Sequence, residues 1–175
     1  MWQQQINQAW QWLQAGRLSA AHDLLRSLYE QAKPADDPPR LLSVIGKWAH
    51  VLLDMGQCQA AMDLYAEAID LAQDQNDDAQ LGYYLRHQAD AMRIDDPEAA
   101  LAVYHEALAC LDSKAEPLAW ANALRGRALS LEHTGQWQLA VADWQQALAV
   151  YAASGIAEGV SEATDKIKSL QAQRP

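Results

Sequence analysis

Phenylalanine is absent from these 175 residues, and there are only two cysteines, six prolines and eight glycines. Cys58 and Cys110 are far apart, with no Cys-x-x-Cys spacing and no His-x3-5-His run, so neither a disulfide framework nor a zinc site is in view. In a reducing compartment both are expected as buried thiols, a long-range disulfide being the alternative. The N-terminal Met1-Trp2-Gln3-Gln4-Gln5 lacks a cationic segment leading into an apolar core, and no run approaches the ~18 apolar residues of a membrane span. No membrane partner and a cytoplasmic address are the expectations. Positive charge is scarce as well: 13 Lys and Arg stand against 23 Asp and Glu, a net charge of −10. That balance disfavours nucleic acid and anionic lipid as partners.

Catalytic constellations are missing too. No GxGxxG, Gly-Lys-Ser/Thr phosphate loop, GxSxG elbow or His-Glu-x-x-His is present, so no enzyme activity, catalytic residue or cofactor is expected. Asp74-Gln75-Asn76-Asp77-Asp78 begins like a calcium loop, but Ala79 replaces the required glycine and Leu85 the bidentate glutamate, which leaves no metal site. Asp36-Asp37, Asp77-Asp78 and Asp95-Asp96 fall in predicted turns, where they are read as helix caps rather than proton-sharing pairs. His22 and His105 are read as helix-supporting or solvated.

What remains is rich in helix formers: 34 Ala and 19 Gln, with half the residues hydrophobic. The length suits one domain and buries about 70% of the unfolded chain's surface. Within that length one unit recurs. Small residues at Ala9, Ala49, Ala89 and Ala128 are spaced by 40, 40 and 39, and those at Ala21, Ala61, Ala100 and Ala140 by 40, 39 and 40. The odd interval locates a single deletion between Ala89 and Ala100. Gly16, Gly56 and Gly135 mark the turn between the two series; the third copy has Asp96-Pro97-Glu98 instead, an N-cap followed by proline at the first helical position.

Alanine at both places permits the close end, about 8 Å, of the usual interaxial range. The flanking apolar residues have helical spacing: Ile45, Trp48, Ala49 and Leu52 against Ala61, Leu64, Tyr65, Ala68 and Leu71 in the second copy, and Leu124, Ala128 and Leu131 against Ala140, Val141, Trp144, Ala147, Leu148 and Tyr151 in the fourth. Each copy is therefore predicted to be a helical hairpin.

The small residue of each first helix, the turn glycine, the alanine after it, the aromatic four residues on (Tyr65, Tyr104, Trp144) and the alanine three further (Ala68, Ala107, Ala147) together resemble the tetratricopeptide repeat (TPR) family. In the first copy Leu25 and Leu28 take the last two places. These units are near 40 residues, against the family's roughly 34, as in its long-unit members. The resemblance implies an all-α, right-handed α-solenoid of four TPR-like hairpins, over 2–33, 40–76, 78–113 and 117–153. The breaker from Pro34 to Pro39 separates the first two, and Pro117 opens the fourth. A final helix over 156–173 carries Ile156, Val160, Ala163, Ile167 and Leu170 on one stripe and Glu158, Glu162, Asp165, Lys166 and Lys168 elsewhere, as a solenoid cap requires.

The same resemblance implies a concave groove lined by the second flank of each first helix. Reading that flank gives Gln3, Ile6, Trp10, Leu13 and Gln14; Ser43, Gly46, His50, Leu53 and Asp54; Tyr83, Arg86, Asp90, Arg93 and Ile94; and Asn122, Arg125, Leu129, Glu132 and His133. Apolar groups concentrate in the first two copies and arginines in the last two. The expected role is a non-enzymatic protein-interaction scaffold for a peptide with an apolar anchor and an acidic group, the latter near Arg125. Arg86 and Arg93 have a competing reading as helix partners of Asp90. Trp10, Leu13 and Ile6 have a core reading as well. Trp2, Trp10 and Trp12 put apolar surface on several sides of the first helix, which leaves a homodimer, and so an assembly subunit, as an alternative. A peptide-responsive regulatory sensor is the other.

Overall fold

The computed structural model describes residues 1–35 and 37–172, and every regular element among them is helical. One compact unit covers Met1–Asp77 and the second begins at Asp78. The first contains α1 (Trp2–Gln14), α2 (Leu18–Ala32), α3 (Pro38–Asp54) and α4 (Cys58–Asp74). The second contains α5 (Asp78–Met92), α6 (Pro97–Cys110), α7 (Pro117–His133), α8 (Trp137–Ala153) and α9 (Ala157–Ala172). Within each unit every helix packs on the next, so hairpins stack as in an α-solenoid, and α9 covers α8 as a capping helix. The predicted cap boundary at residue 173, and Asp36 of the breaker, lie outside the described residues.

The turns are made by the backbone. After α3, Gly56 adopts φ 74°, its N–H donates to the Leu53 carbonyl at 2.9 Å and the Gln57 N–H to Leu52 at 2.8 Å. This paired pattern is the Schellman motif, whose one left-handed residue costs glycine nothing sterically. The same two bonds follow α1, α7 and α8, at Gly16, Gly135 and Gly155, and follow α4 with Asn76 in the left-handed place. The shortened third turn works differently. Asp95 and Asp96 both donate to the Met92 carbonyl, and the Asp96 carboxylate then accepts the Ala99 N–H at 2.9 Å to start α6. Asp37 likewise accepts the Arg40 N–H at 3.1 Å, so α3 begins at Pro38, two residues before the expected start. A carboxylate at such a cap stabilises a helix by about 1 kcal/mol.

All eight register alanines, Ala9, Ala49, Ala89, Ala128, Ala21, Ala61, Ala100 and Ala140, are fully buried. So are Leu25, Leu28, Tyr65, Tyr104 and Trp144, the large side chains that follow the turns, each contributing about 2 kcal/mol or more by burial. In the first unit Ile6, Ala9, Ala21, Leu25, Leu28, Val44 and Val51 form one core, with Trp2, Trp12, Leu13, Tyr29 and Trp48 packed on it. One expectation is corrected: Cys58 is exposed and Cys110 half-buried, because Cys58 opens α4 on the solvent side of its turn. His22 is also more than solvated, accepting the Trp48 indole N–H at 3.0 Å.

Gly126 marks a close approach between α6 and α7. A β-carbon there would sit 2.5 Å from the Tyr104 ring and hydroxyl, so α7 lies directly on the α6 aromatic. Gly126→Ala is therefore expected to overpack the junction and lower unfolding stability by about 1–3 kcal/mol. A denaturant titration with an unchanged midpoint would contradict this packing.

Candidate interaction surface

In the second unit the buried aromatics organise the polar flank of the first helices. Tyr104, on α6, must satisfy its hydroxyl, which donates to Asp90 Oδ1 on α5 at 2.5 Å. The other oxygen, Oδ2, accepts from Arg86 at 2.8 Å, so Asp90 is held from both sides. Burial, followed by the Asp90 charge, raises the Tyr104 pKa strongly and keeps it a donor; the nearby Arg93 guanidinium acts in the opposite direction. Tyr83 packs edge-on against Tyr84 and against His87, with centroids 5.1 and 4.4 Å apart, and Arg86 stands 5.5 Å above the Tyr83 ring.

The next turn of the array repeats this logic. Trp144, on α8, donates its indole N–H to Glu132 Oε1 at 2.7 Å, and Lys166 on α9 donates to Oε2 at 2.7 Å. Arg125 makes a bidentate pair with Glu162 of α9, Nε to Oε2 at 2.6 Å and Nη2 to Oε1 at 2.7 Å. That bonding is the main reason the Arg125 pKa is raised. The acidic group at Arg125 is thus the chain's own, and a partner carboxylate reaching it has to displace Glu162. Asn122 Oδ1 accepts from the Tyr151 hydroxyl at 2.8 Å, and His133 Nδ1 donates to the Leu129 carbonyl at 2.8 Å. Leu129 is half-buried against the Ala128–Trp144 core, more packing than surface.

In the first unit Trp10 is 38% exposed on α1, its ring 6.3 Å from that of His50 on α3, with Lys47 Nζ 6.0 Å from its centroid. Leu53 is half-buried, Leu13 packs on the core and Ile6 is buried, so of the apolar candidates here Trp10 alone is prominent. Its neighbours are covered by their own partners. Trp2 donates to Ser43 Oγ at 3.2 Å beneath Arg40, and Trp12 lies under Arg17. On the α2 and α4 side, a depression of about 380 Å³ is floored by Trp48, Leu52 and Leu64 and edged by Arg26, Asp63 and Glu67.

Sequence reasoning missed Lys47, Glu162 and Lys166. Lys47 lies between the Ser43 and His50 positions on the same helix, next to Gly46, which the flank reading includes and which is buried. For the other two a signal existed: α9 starts one 40-residue period after α7, so its Glu162 and Lys166 face the Arg125 and Glu132 of the preceding first helix. Reading α9 only as a solvated cap hid that complementarity. No group of three metal-binding side chains occurs among the described residues, and no helix there is long and apolar enough to cross a membrane.

The fold has clear matches among solved structures. A crystal structure named "Podosopora anserina putative kinesin light chain nearly identical TPR-like repeats" superposes with a TM-score of 0.70 at 19% identity, over 99% of this chain and 97% of that one. BtubC (BKLC) from P. vanneervenii matches with 0.70 at 17% identity, over 94% of this chain and 77% of its own. The MamA RS-1 ArsTM double mutant matches with 0.60 at 16% identity, over 97% and 94%. No protein-family model and no curated protein matches the sequence. The chain therefore has the TPR-like fold, an all-α solenoid of helical hairpins with a terminal capping helix.

Two ion pairs predict separable effects. Asp143, 5% exposed, holds Arg127 through two bonds of 2.7 and 2.8 Å, so Asp143→Ala is expected to cost about 3 kcal/mol in a denaturant titration. Glu162→Gln breaks a more exposed pair, and its expected cost is about 0.5–1 kcal/mol. It is read as faster amide exchange in α9 with α5 and α6 unchanged; uniform acceleration would show that the pair does not secure α9 specifically.

Proposed function

We propose that the protein is a non-enzymatic protein–protein interaction scaffold that holds a partner segment on the flank of its first helices. The observation that carries this reading is Trp10, an indole left 38% exposed beside Lys47 and His50 while Trp2 and Trp12 are covered from within the chain. Tryptophan in a partly desolvated setting is the residue type that most often dominates an interface. Its surroundings suit an apolar anchor: Lys47 and His50 frame the ring, and Leu13 packs close by on the core. The likeness in fold to TPR-like proteins supports the same role, since stacked hairpins present one repeated flank per unit.

The test is capture of partners from the native cell extract by wild type and by Trp10→Ala, followed by sedimentation of each protein alone. Trp10→Ala is expected to reduce capture about tenfold, a typical loss for truncating an aromatic anchor, with its melting transition preserved. Undiminished capture overturns the assignment of Trp10. A wild-type dimer that dissociates on Trp10→Ala replaces the partner segment with a second copy of the chain.

A further inference from the structure

The charged groups on the first-helix flank of the second unit leave one cation over. Arg125 is satisfied by Glu162, and Lys166 by Glu132. Asp90 serves Arg86 with one oxygen and Tyr104 with the other, so neither oxygen is left unengaged. Arg93 lies one turn further along α5, beside the Tyr104 hydroxyl, and no carboxylate stands within ion-pairing distance of it among the described residues. It is half-buried, and its Nε, like that of Arg86, is buried without a hydrogen-bond partner. The partly desolvated cluster thus holds two guanidiniums and one carboxylate, which is spent on Arg86 and Tyr104, a surplus of one positive charge within a chain of net charge −10. A buried N–H without an acceptor carries an uncompensated desolvation cost, so the cluster is short of acceptors. Directly next to Arg93, Ile94 is 81% exposed, an apolar ledge with nothing of its own chain upon it.

We propose that Arg93, with Arg86 behind it, receives an aspartate or glutamate side chain of a partner protein whose neighbouring apolar side chain rests on Ile94. The arginine fork binds a carboxylate through two parallel charge-assisted bonds, and the surrounding partial burial strengthens each of them. This deepens the scaffold reading and rests on it. It also moves the acid-binding group from Arg125, whose fork is filled, to the one arginine of the flank that lacks an acid.

The probe is a capped peptide of alternating leucine and glutamate, with its leucine–glutamine counterpart as control, titrated into the full chain while the Arg93 Nε–Hε resonance is followed by NMR. The expected result is a saturable shift with the glutamate peptide alone, weakening as salt is raised. Arg93→Gln is expected to lose about tenfold in affinity, Arg93→Lys less, and Lys168→Gln, an exposed charge on α9, nothing. An unmoved resonance, equal shifts with both peptides, or equal losses from Arg93→Gln and Lys168→Gln would overturn the proposal. Should Arg93→Gln unfold, the wild-type resonance and Arg93→Lys decide it. A negative result here alongside a strong Trp10→Ala effect discards the acid site and leaves the scaffold standing.

Discussion

The polar tip of a buried aromatic is the constraint from which the second unit's surface follows. An aromatic after each turn fills the space between hairpins, and once buried its O–H or N–H must find an acceptor. Tyr104 finds Asp90, and Trp144 finds Glu132. Each acceptor is a carboxylate on the outward flank of the hairpin's own first helix, so the demand of the core fixes an anion at the surface. That anion then recruits a cation, Arg86 in one case and Lys166 in the other. Core packing and surface charge are thus one chain of cause.

This coupling also explains what could be read in the sequence. The alanine register, the turn glycines and the deletion in the third turn are properties of neighbouring residues along the chain, and helical periodicity converts them directly into hairpins. Tyr104 and Trp144 as buried aromatics were equally visible. Which polar groups are spent and which are spare was not visible, because that depends on pairs such as Arg125 and Glu162, 37 residues apart on different helices. A flank read one helix at a time gives Arg125 as available and Arg93 as a mere neighbour of Asp90; in the folded chain Arg125 is paired with Glu162, and Asp90 pairs with Arg86. Leu129 shows the same limit, since its half-burial against a core depends on helices the local pattern does not contain.

The two units reach their surfaces by different means. In the first, tryptophans are covered by nearby cations, Arg40 over Trp2 and Arg17 over Trp12, and the flank is aromatic with little charge pairing. In the second, carboxylate–cation pairs dominate and small residues let aromatics come close, as Gly126 does for Tyr104. An array of one repeated hairpin therefore offers two chemically distinct flanks, one in each unit.

The Schellman turns have a consequence for how much the sequence can vary. At each such corner two main-chain bonds end the helix, and only the left-handed residue is constrained in type, glycine four times and asparagine once. Corners that depend so little on side chains let nearly every other position drift while the hairpin geometry persists. The same hairpin architecture can therefore be built from very different side chains, as it is in solved structures that share only 16 to 19% of their residues with this chain.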